Sequence, residues 1–316
     1  MVWLRRASQT GWFLLFCYLF LQTVYHPINR AGRGVDLFFD LDPLTALNCW
    51  LASHRVVRAM LLSAATLGFT LVCGRWFCGW VCPLGTLHHA ITSLRGGSAK
   101  QKIQAGGFTR WQNAKYYLLA GFIGASLVGL NVVGWLDPLS FFFRSLATSI
   151  YPTLNGATVA VFAWFYDVNP GVGPVRLTTL TEPVYSFLRG HLLARDQPYF
   201  QGALLLGALF FTVAALNFVR PRFWCRFVCP LGALLGIIGK HPLLRLRKDQ
   251  EKCNSCRLCV ANCQGGATPD NPAQWKPSEC FYCWNCQSDC PAQAISFGAE
   301  WKPEKEQNES LVQVGH

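Results

Sequence analysis

Apolar residues are gathered into four long blocks, and polar and charged residues lie between them. The third and fourth blocks have 21 and 20 residues without a charge, and the four blocks are residues 11–25, about 59–78, 116–136 and 200–219. About 20 apolar residues cross a bilayer core, so the pattern predicts four transmembrane helices. The first block could instead be a signal peptide, but no small-residue cleavage site follows it, which favours a retained span.

The basic residues predict an orientation for these spans. Arg5 and Arg6 precede the first block, and Lys and Arg also follow the fourth. The 79–115 loop contains Lys and Arg but no acidic residue, whereas the 26–55 and 137–199 loops mix both signs. Positive charge marks the cytoplasmic side. The sequence therefore predicts a multi-pass protein of the bacterial inner membrane, with a cytoplasmic N-terminus and a cytoplasmic C-terminal segment.

An internal repeat divides the first 240 residues into two halves. Residues 75–85 read Arg-Trp-Phe-Cys-Gly-Trp-Val-Cys-Pro-Leu-Gly, and residues 222–232 read Arg-Phe-Trp-Cys-Arg-Phe-Val-Cys-Pro-Leu-Gly. Upstream in each half stands Asp-Pro-Leu, at 42–44 and at 137–139. Repeated halves often pack about a pseudo-symmetry axis with a site at their interface. We expect two such pseudo-repeats here.

The strongest chemical pattern is a pair of Cys-x2-Cys-x2-Cys-x3-Cys runs near the C-terminus. In the bacterial two-cluster ferredoxin pattern, the fourth Cys of each run binds the other cluster. The spacing thus assigns one [4Fe–4S] cluster to Cys253, Cys256, Cys259 and Cys290, and a second to Cys263, Cys280, Cys283 and Cys286. Paired zinc sites also use Cys-x2-Cys and are the alternative. Eight cysteines at this spacing favour iron–sulfur.

The repeated Cys-x3-Cys-Pro motifs supply a further candidate redox site. Residues four apart share a helix face, so symmetric packing of the halves would bring together Cys78, Cys82, Cys225 and Cys229. Four thiolates suit an iron–sulfur cluster, zinc or Cu(I). Buried packing cysteines are the alternative, and the duplication argues against it. Cys17, Cys49 and Cys73 have no such pattern and are expected to be packing residues.

Two pairs of charged residues accompany the repeat. Asp42 and Asp137 each precede a proline, which is typical of a helix N-cap; they could also accept protons from a quinol. Arg75 and Arg222 directly precede the Cys-x3-Cys-Pro motifs. They could offset thiolate charge or anchor the ends of spans, and both interpretations stay open.

Composition narrows the function classes. Hydrophobic residues make up 52% and charged residues 14% of the 316 residues, and the formal net charge is +12. The basic residues flank apolar blocks, so we interpret them as orientation signals and do not expect nucleic-acid binding. A disulfide framework is typical of short secreted chains. No Cys-x2-Cys-His motif for haem attachment is present.

These patterns together predict a mainly α membrane protein with an appended small domain. Residues 1–240 would form the four-helix membrane domain with the two Cys-x3-Cys-Pro motifs. Residues 241–298 would form an α+β two-cluster ferredoxin-like domain, and residues 299–316 a polar tail.

Over about residues 8–295 the chain resembles the NapH/NosR/CcoG polyferredoxin group, and its layout is most similar to the NapH type. The resemblance rests on the four apolar spans, the two Cys-x3-Cys-Pro-Leu-Gly motifs and the double Cys-x2-Cys-x2-Cys-x3-Cys run. The long 137–199 loop is a departure from the group, and we expect it to alter partner contacts.

The resemblance implies a quinol-dehydrogenase component of respiratory nitrogen metabolism. Such a component would draw on the quinone pool at the membrane. It would feed a periplasmic reductase of the nitrate or nitrous oxide type, with an iron–sulfur or multihaem partner. The alternative is a metal-handling assembly factor that reduces copper for a metalloenzyme, since converging thiols suit Cu(I).

Overall fold

The chain folds into a mainly helical body that carries a small C-terminal unit with a two-stranded sheet. We call residues 244–299 the ferredoxin-like unit, because they contain the two cysteine runs of the predicted ferredoxin pattern. The structure is a computed structural model that describes residues 1–25, 35–54, 61–130, 132–168, 171–172, 175–193 and 200–299. The predicted polar tail, apart from Ala299, lies outside these residues, and so do residues 26–34 of the first loop.

The helices are short on average. In chain order they are α1 Val2–Tyr25, α2 Asp36–Asp40, α3 Pro43–Ser53, α4 Leu62–Cys73, α5 Trp76–Trp80, α6 Pro83–Ser93, α7 Ala99–Gly106, α8 Ala114–Leu127, α9 Pro138–Ser145, α10 Tyr151–Val168, α11 Leu177–His191, α12 Ala203–Ala215, α13 Phe223–Phe227, α14 Pro230–Ile238, α15 Leu258–Ala261 and α16 Asn285–Ser288. The strands are β1 Gly171–Val172, β2 Val175–Arg176, β3 Leu244–Lys248 and β4 Ile295–Ala299.

The expectation of four transmembrane helices is wrong for this structure. Across the described ranges, no helix has both the length and the apolar character that a bilayer crossing requires. The same finding contradicts the predicted location as a multi-pass inner-membrane protein with a cytoplasmic N-terminus and ferredoxin domain.

No described helix can cross a bilayer because three of the apolar blocks form short helices and the first lies in a helix that contains charged and polar residues. The second block yields α4 with 12 residues, which ends at Gly74 with φ of 55°. The third yields α8 with 14 residues, followed by Gly129 at φ 83°. The fourth yields α12 with 13 residues. At 1.5 Å per residue these helices extend about 20 Å, short of the roughly 30 Å hydrocarbon core. The 24-residue α1 is long enough but contains charged and polar residues.

The internal repeat is visible as matching helix starts. Asp42 caps α3 and Asp137 caps α9, each by accepting backbone N–H groups with its carboxylate. The N-cap interpretation is therefore confirmed for both. Cys82 and Cys229 occupy the same position before α6 and α14, and in each case a proline opens the helix. Proline suits this first position because its missing N–H has no intrahelical partner there.

Aromatic side chains fill the core between the halves. Phe16 lies edge-on to Phe38 and stacks with Phe142, with ring centroids 5.1 and 5.2 Å apart. Phe141 stacks with Trp224 at 4.6 Å, just before Cys225. Such pairs contribute beyond their buried area. The core thus extends from α1 to the second Cys-x3-Cys-Pro motif.

The ferredoxin-like unit is closed by an antiparallel sheet in which β3 pairs with β4, with Leu246 opposite Phe297. Tyr282 is fully buried, and its hydroxyl donates to the Leu244 carbonyl at 2.8 Å. The indole N–H of Trp80 donates to the Tyr282 carbonyl at 3.0 Å. A Cβ at Gly79 would collide with the Phe281 carbonyl. The unit is therefore docked backbone to backbone on the first Cys-x3-Cys-Pro segment.

Candidate iron–sulfur centres

One cavity of the ferredoxin-like unit gathers the four cysteines assigned to the first cluster. The cavity has a volume of about 200 Å³, and its lining includes Cys253, Cys256, Cys259 and Cys290. Three come from one run and the fourth from the other, as in the two-cluster ferredoxin pattern. We refer to it as the outer cavity, because Cys256 in its wall is exposed.

A second, smaller cavity gathers the other set. Its lining includes Cys263, Cys280, Cys283 and Cys286, together with the apolar side chains of Leu246, Trp275, Phe281 and Phe297. This inner cavity again takes three cysteines from one run and the fourth from the other. Cys286 of this set interacts electrostatically with Cys259 of the outer set, so the two cavities are neighbours.

The backbone of both runs is bent by residues in the left-handed region. Ser255 and Arg257 have φ of 57°, and at the equivalent positions Tyr282 and Trp284 have φ of 48° and 55°. Non-glycine residues adopt this conformation rarely, and it is concentrated at functional sites. The bends let successive cysteines face one centre.

Backbone N–H groups also point at sulfur. Ala267 donates to Cys263 Sγ at 3.4 Å, and Ala294 donates to Cys290 Sγ at 3.3 Å. Hydrogen bonds to sulfur help to set the potential of an iron–sulfur cluster. The cavities, the cysteine sets and these donors therefore fit [4Fe–4S] clusters.

The two Cys-x3-Cys-Pro motifs form a third group, which we call the four-thiol site: Cys78, Cys82, Cys225 and Cys229. All four are buried. Cys229 interacts electrostatically with each of the other three. Gly85 N donates to Cys82 Sγ at 3.5 Å and Gly232 N to Cys229 Sγ at 3.2 Å, at the N-termini of α6 and α14. Helix N-termini favour negative charge, so both sulfurs lie where a thiolate is stabilised.

Burial nevertheless opposes ionisation of these thiols when nothing is bound. Burial, opposed by Arg222, raises the pKa of Cys225 to about 11. Burial and the neighbouring thiols raise the pKa of Cys82 and of Cys229 well above the ordinary value. Metal binding requires thiolates, so loading the site would release protons.

At this site each half of the repeat contributes an arginine that binds the backbone of the other half. Arg75, from the first half, donates to the Cys225 carbonyl at 2.9 Å, and Arg222, from the second, donates to the Cys78 carbonyl at 2.7 Å. Both guanidinium groups lie over the ring of Phe281, at 4.7 and 5.0 Å. Phe281 therefore joins the four-thiol site to the inner cavity, whose wall it also forms.

Arg222 carries a charge that its described neighbours do not fully satisfy. It is fully buried, and its Nε and Nη2 have no hydrogen-bond partner among the described residues. Among the groups that interact with it electrostatically are four thiols, Cys225, Cys283, Cys78 and Cys82. A buried cation needs a paired anion. Clusters held by four thiolates carry net negative charge, so Arg222 fits between two of them. Of the two interpretations left open, this geometry favours the offset of thiolate charge.

Glu279 is the ion-pair partner of Arg75, one of these two arginines. The carboxylate is 2% exposed and accepts from Arg75 at 3.2 Å, from Gln112 at 3.2 Å and from the Tyr116 hydroxyl at 3.0 Å. Lys115 also forms an ion pair with it. Glu279 directly precedes Cys280, so this network holds the second cysteine run against the helical body.

The two N-cap carboxylates meet close to the four-thiol site. Asp42 and Asp137 are both fully buried. Burial, the charge of Asp137 and a hydrogen bond to Asp137 raise the pKa of Asp42 well above its ordinary value. Asp137 also interacts electrostatically with Cys82. A neighbouring carboxyl and burial both disfavour the charged form, so Asp42 is held in its protonated form over a wider pH range than a free carboxyl.

No preformed site for a single ion accompanies these sets. Within the described ranges, no three or more His, Cys, Asp or Glu side chains are arranged so that they could hold one metal ion. Sequence reasoning identified the cysteine sets but did not identify Phe281, Glu279 and Lys115. Only the adjacency of the first two to Cys280 could have signalled their role.

The comparisons with known proteins point to the same chemistry. The family described as a 4Fe-4S binding domain matches residues 56–100 and 202–249. These two segments enclose Cys78 and Cys82 in the first half and Cys225 and Cys229 in the second. The match therefore falls on the four-thiol site.

Relatives match over most of the chain. An uncharacterized protein of Methanocaldococcus jannaschii is 30% identical over 74% of this chain and 76% of its own length. The ferredoxin-type protein NapH of Escherichia coli is 24% identical over 87% of this chain and 81% of its own. The regulatory protein NosR of Stutzerimonas stutzeri is 26% identical over 90% of this chain but only 37% of its own length. No solved structure matches.

Proposed function

Because the chain belongs to the NapH/NosR polyferredoxin family of iron–sulfur electron-transfer proteins, we propose that it passes electrons from a quinol to a respiratory reductase. The reductase would be of the nitrate or nitrous oxide type, reached through an iron–sulfur or multihaem partner. The observation that carries the proposal is the contiguity of three cysteine sets. Cys286 of the inner cavity interacts with Cys259 of the outer cavity, and Phe281 of the inner cavity lies against Arg75 and Arg222 beside the four-thiol site.

The ligand assignment follows the cavity linings. Cys253, Cys256, Cys259 and Cys290 hold one [4Fe–4S] cluster, and Cys263, Cys280, Cys283 and Cys286 hold the second. Cys78, Cys82, Cys225 and Cys229 hold a third, supported by the domain match and by the unsatisfied guanidinium of Arg222. Such clusters exchange single electrons at potentials that the surrounding charges and hydrogen bonds set.

The protein's own residues supply the electrostatics of this relay. Arg222 interacts with Cys78, Cys82 and Cys225 of the four-thiol site and with Cys283 of the inner cavity. Its positive charge would favour an added electron on either side. The ring of Phe281 excludes water between the two guanidinium groups, which keeps their charge unscreened.

The Asp42–Asp137 pair supports a quinol as donor. Oxidation of a quinol releases two electrons and two protons. The electrons would leave one at a time through the four-thiol site. One proton would pass to the carboxyl pair beside Cys82, and the second would pass to solvent water. Within the pair, Asp137 is the candidate acceptor, because the raised pKa of Asp42 favours the form that already holds a proton.

The test is anaerobic reduction by a water-soluble quinol analogue, followed by cluster absorbance and by EPR. We expect reduction in the native protein and at least about tenfold slower reduction in the Asp137→Asn variant, as for loss of a proton acceptor. Cluster content must be the same in both proteins. Reduction at equal rates would refute the proton-acceptor role.

Copper reduction for a metalloenzyme is the alternative function. The soft donors of the four-thiol site favour it, but no preformed single-ion arrangement is found in the part of the chain that the structure describes. Titration of the anaerobic protein with Cu(I) against a competing chelator separates the two. Stoichiometric copper binding that displaces no iron would favour the assembly role.

A further inference from the structure

A cleft lies where α1, the end of α6 and the ferredoxin-like unit meet. It has a volume of about 470 Å³. Small-molecule sites are typically about 300–1,000 Å³, so the cleft is of a suitable size. Its walls include Trp3, His89, Gln264 and Asn285. Cys263, one of the inner-cavity cysteines, also lines it, so a ligand in this cleft would lie against that set.

The mouth of the cleft is basic. Arg6, Arg95 and Lys102 line it, and none of the three has an ion-pair partner in the described ranges. The acidic side chain in the lining is Asp289, which is held by the Asn262 amide at 2.8 Å. Apart from Cys263, the charged side chains of the lining are therefore positive in sum, and an anion is attracted to the mouth of the cleft.

The floor of the cleft contains buried polar atoms that are not satisfied. Gln264 is 5% exposed, and its Oε1 has no partner among the described residues, while its Nε2 contacts His89 Nδ1 at 2.6 Å. Behind them, Arg5 is fully buried and holds Asn285 Oδ1 at 3.1 Å, yet its Nε and Nη1 have no partner in the described part of the chain. Leaving such groups unpaired is costly. An anionic group above this floor would be attracted by the buried guanidinium of Arg5, whereas Gln264 Oε1 requires a hydrogen-bond donor on the ligand.

We propose that this cleft is a binding site for a small anionic electron carrier, which exchanges electrons with the cluster of the inner cavity through Cys263. The inference rests on the proposed function for its redox step, but the binding site does not. The carrier enters past Arg6, Arg95 and Lys102, and its anionic groups remain near them. In each event one electron leaves the reduced cluster and one carrier ion is reduced, with no proton transferred.

The cleft serves a different end of the relay from the Asp42–Asp137 pair. That pair lies next to Cys82 of the four-thiol site, whereas the cleft contacts Cys263 of the inner cavity. Electrons that arrive at the four-thiol site can therefore leave at the cleft without passing through the outer cavity.

The test uses ferricyanide as the anionic oxidant and hexacyanocobaltate(III) as its redox-inert analogue of the same charge. Reduced holoprotein is mixed with ferricyanide in a stopped-flow instrument. We expect the observed rate to saturate with ferricyanide and to be competitively inhibited by hexacyanocobaltate. Lys102→Gln and Arg6→Gln should each weaken binding of the trivalent anion about tenfold. The effect should shrink as salt is raised.

Lys100→Gln is the matched control. It removes the same charge from the same helix α7, but Lys100 is exposed and is not part of the cleft lining. We expect it to change binding by less than about twofold. A cationic cobalt(III) oxidant should not be slowed by Lys102→Gln. Equal effects of the two lysine variants, or linear kinetics without competition, would overturn the proposal.

Calorimetry with hexacyanocobaltate separates this inference from the proposed function. It measures binding to the cleft without any electron transfer. If the protein has its full iron content but does not bind the anion, the cleft proposal is refuted and the proposed function is not. If the purified protein lacks iron but still binds the anion, and Lys102→Gln abolishes that binding, the relay is refuted and the cleft is supported.

Discussion

Replacement of Glu279 by Gln tests how the ferredoxin-like unit is held on the helical body. The side chain keeps its shape and loses its charge. In the native protein this carboxylate is the ion-pair partner of both Arg75 and Lys115, which are fully buried. The substitution leaves two buried cations without an anion.

The two cations respond differently. Burial and the charge of Arg75 lower the pKa of Lys115 to about 7, against the opposing effect of Glu279. Without Glu279, Lys115 loses its proton at neutral pH at little cost. Arg75 cannot do so, because a guanidinium stays protonated in proteins. Breaking a buried pair in this way costs about 3–5 kcal/mol, and we expect a loss at the lower end, about 3 kcal/mol.

The assay is denaturant unfolding of the anaerobic holoprotein, followed by circular dichroism and by cluster absorbance. Glu279→Gln should lower the free energy of unfolding, and Lys115→Met in the same background should cost less than it does alone. A double-mutant cycle of this kind isolates the pair energy. Exposed ion pairs contribute at most about 1 kcal/mol. A loss of unfolding free energy below that value would therefore refute the buried network.

Three further predictions concern the site and its support. Cys225→Ser should remove about four of the iron ions, since each cubane contains four irons, while EPR of the ferredoxin-like unit persists; loss of all signals would contradict a separate site. Burial and the charge of Arg222 lower the pKa of His88 to about 4 against the hydrogen bond from Asn217. The unfolded chain therefore takes up this proton near pH 6.5 and the folded chain only near pH 4. Stability should fall by about 1.4 kcal/mol for each unit by which the pH is lowered between those values, and His88→Gln should flatten that slope. Gly79→Ala should cost about 1–3 kcal/mol by overpacking, because its Cβ meets the Phe281 carbonyl, and an unchanged denaturation midpoint would contradict the close docking.

The sequence could predict features that depend on local spacing. Each predicted cysteine set lines one cavity, although its role as a ligand set stays a prediction. The Asp-Pro and Cys-Pro pairs begin helices. Both follow from rules that act over a few residues, N-capping and proline at the first helical position. Repetition of the same eleven-residue pattern made the pairing of Cys78 and Cys82 with Cys225 and Cys229 foreseeable.

The sequence did not predict where helices stop or which distant groups meet. The run 116–136 has no charge, yet the helix ends at Leu127, ahead of a left-handed Gly129. A window of mean hydropathy does not register such backbone breaks. Arg75 and Arg222 both contact Phe281, although they lie about 200 and about 60 positions before it in the chain. No local sequence pattern encodes such contacts.

Counting iron and sulfide in the anaerobically purified full chain, together with EPR, tests the central claim most directly. Three clusters predict about twelve iron and about twelve sulfide ions per chain. The thiols that remain free should be Cys17, Cys49 and Cys73, which show no cluster pattern. A colourless, iron-free protein would contradict the account, and so would about eight irons with the four-thiol site still open to alkylation after mild unfolding.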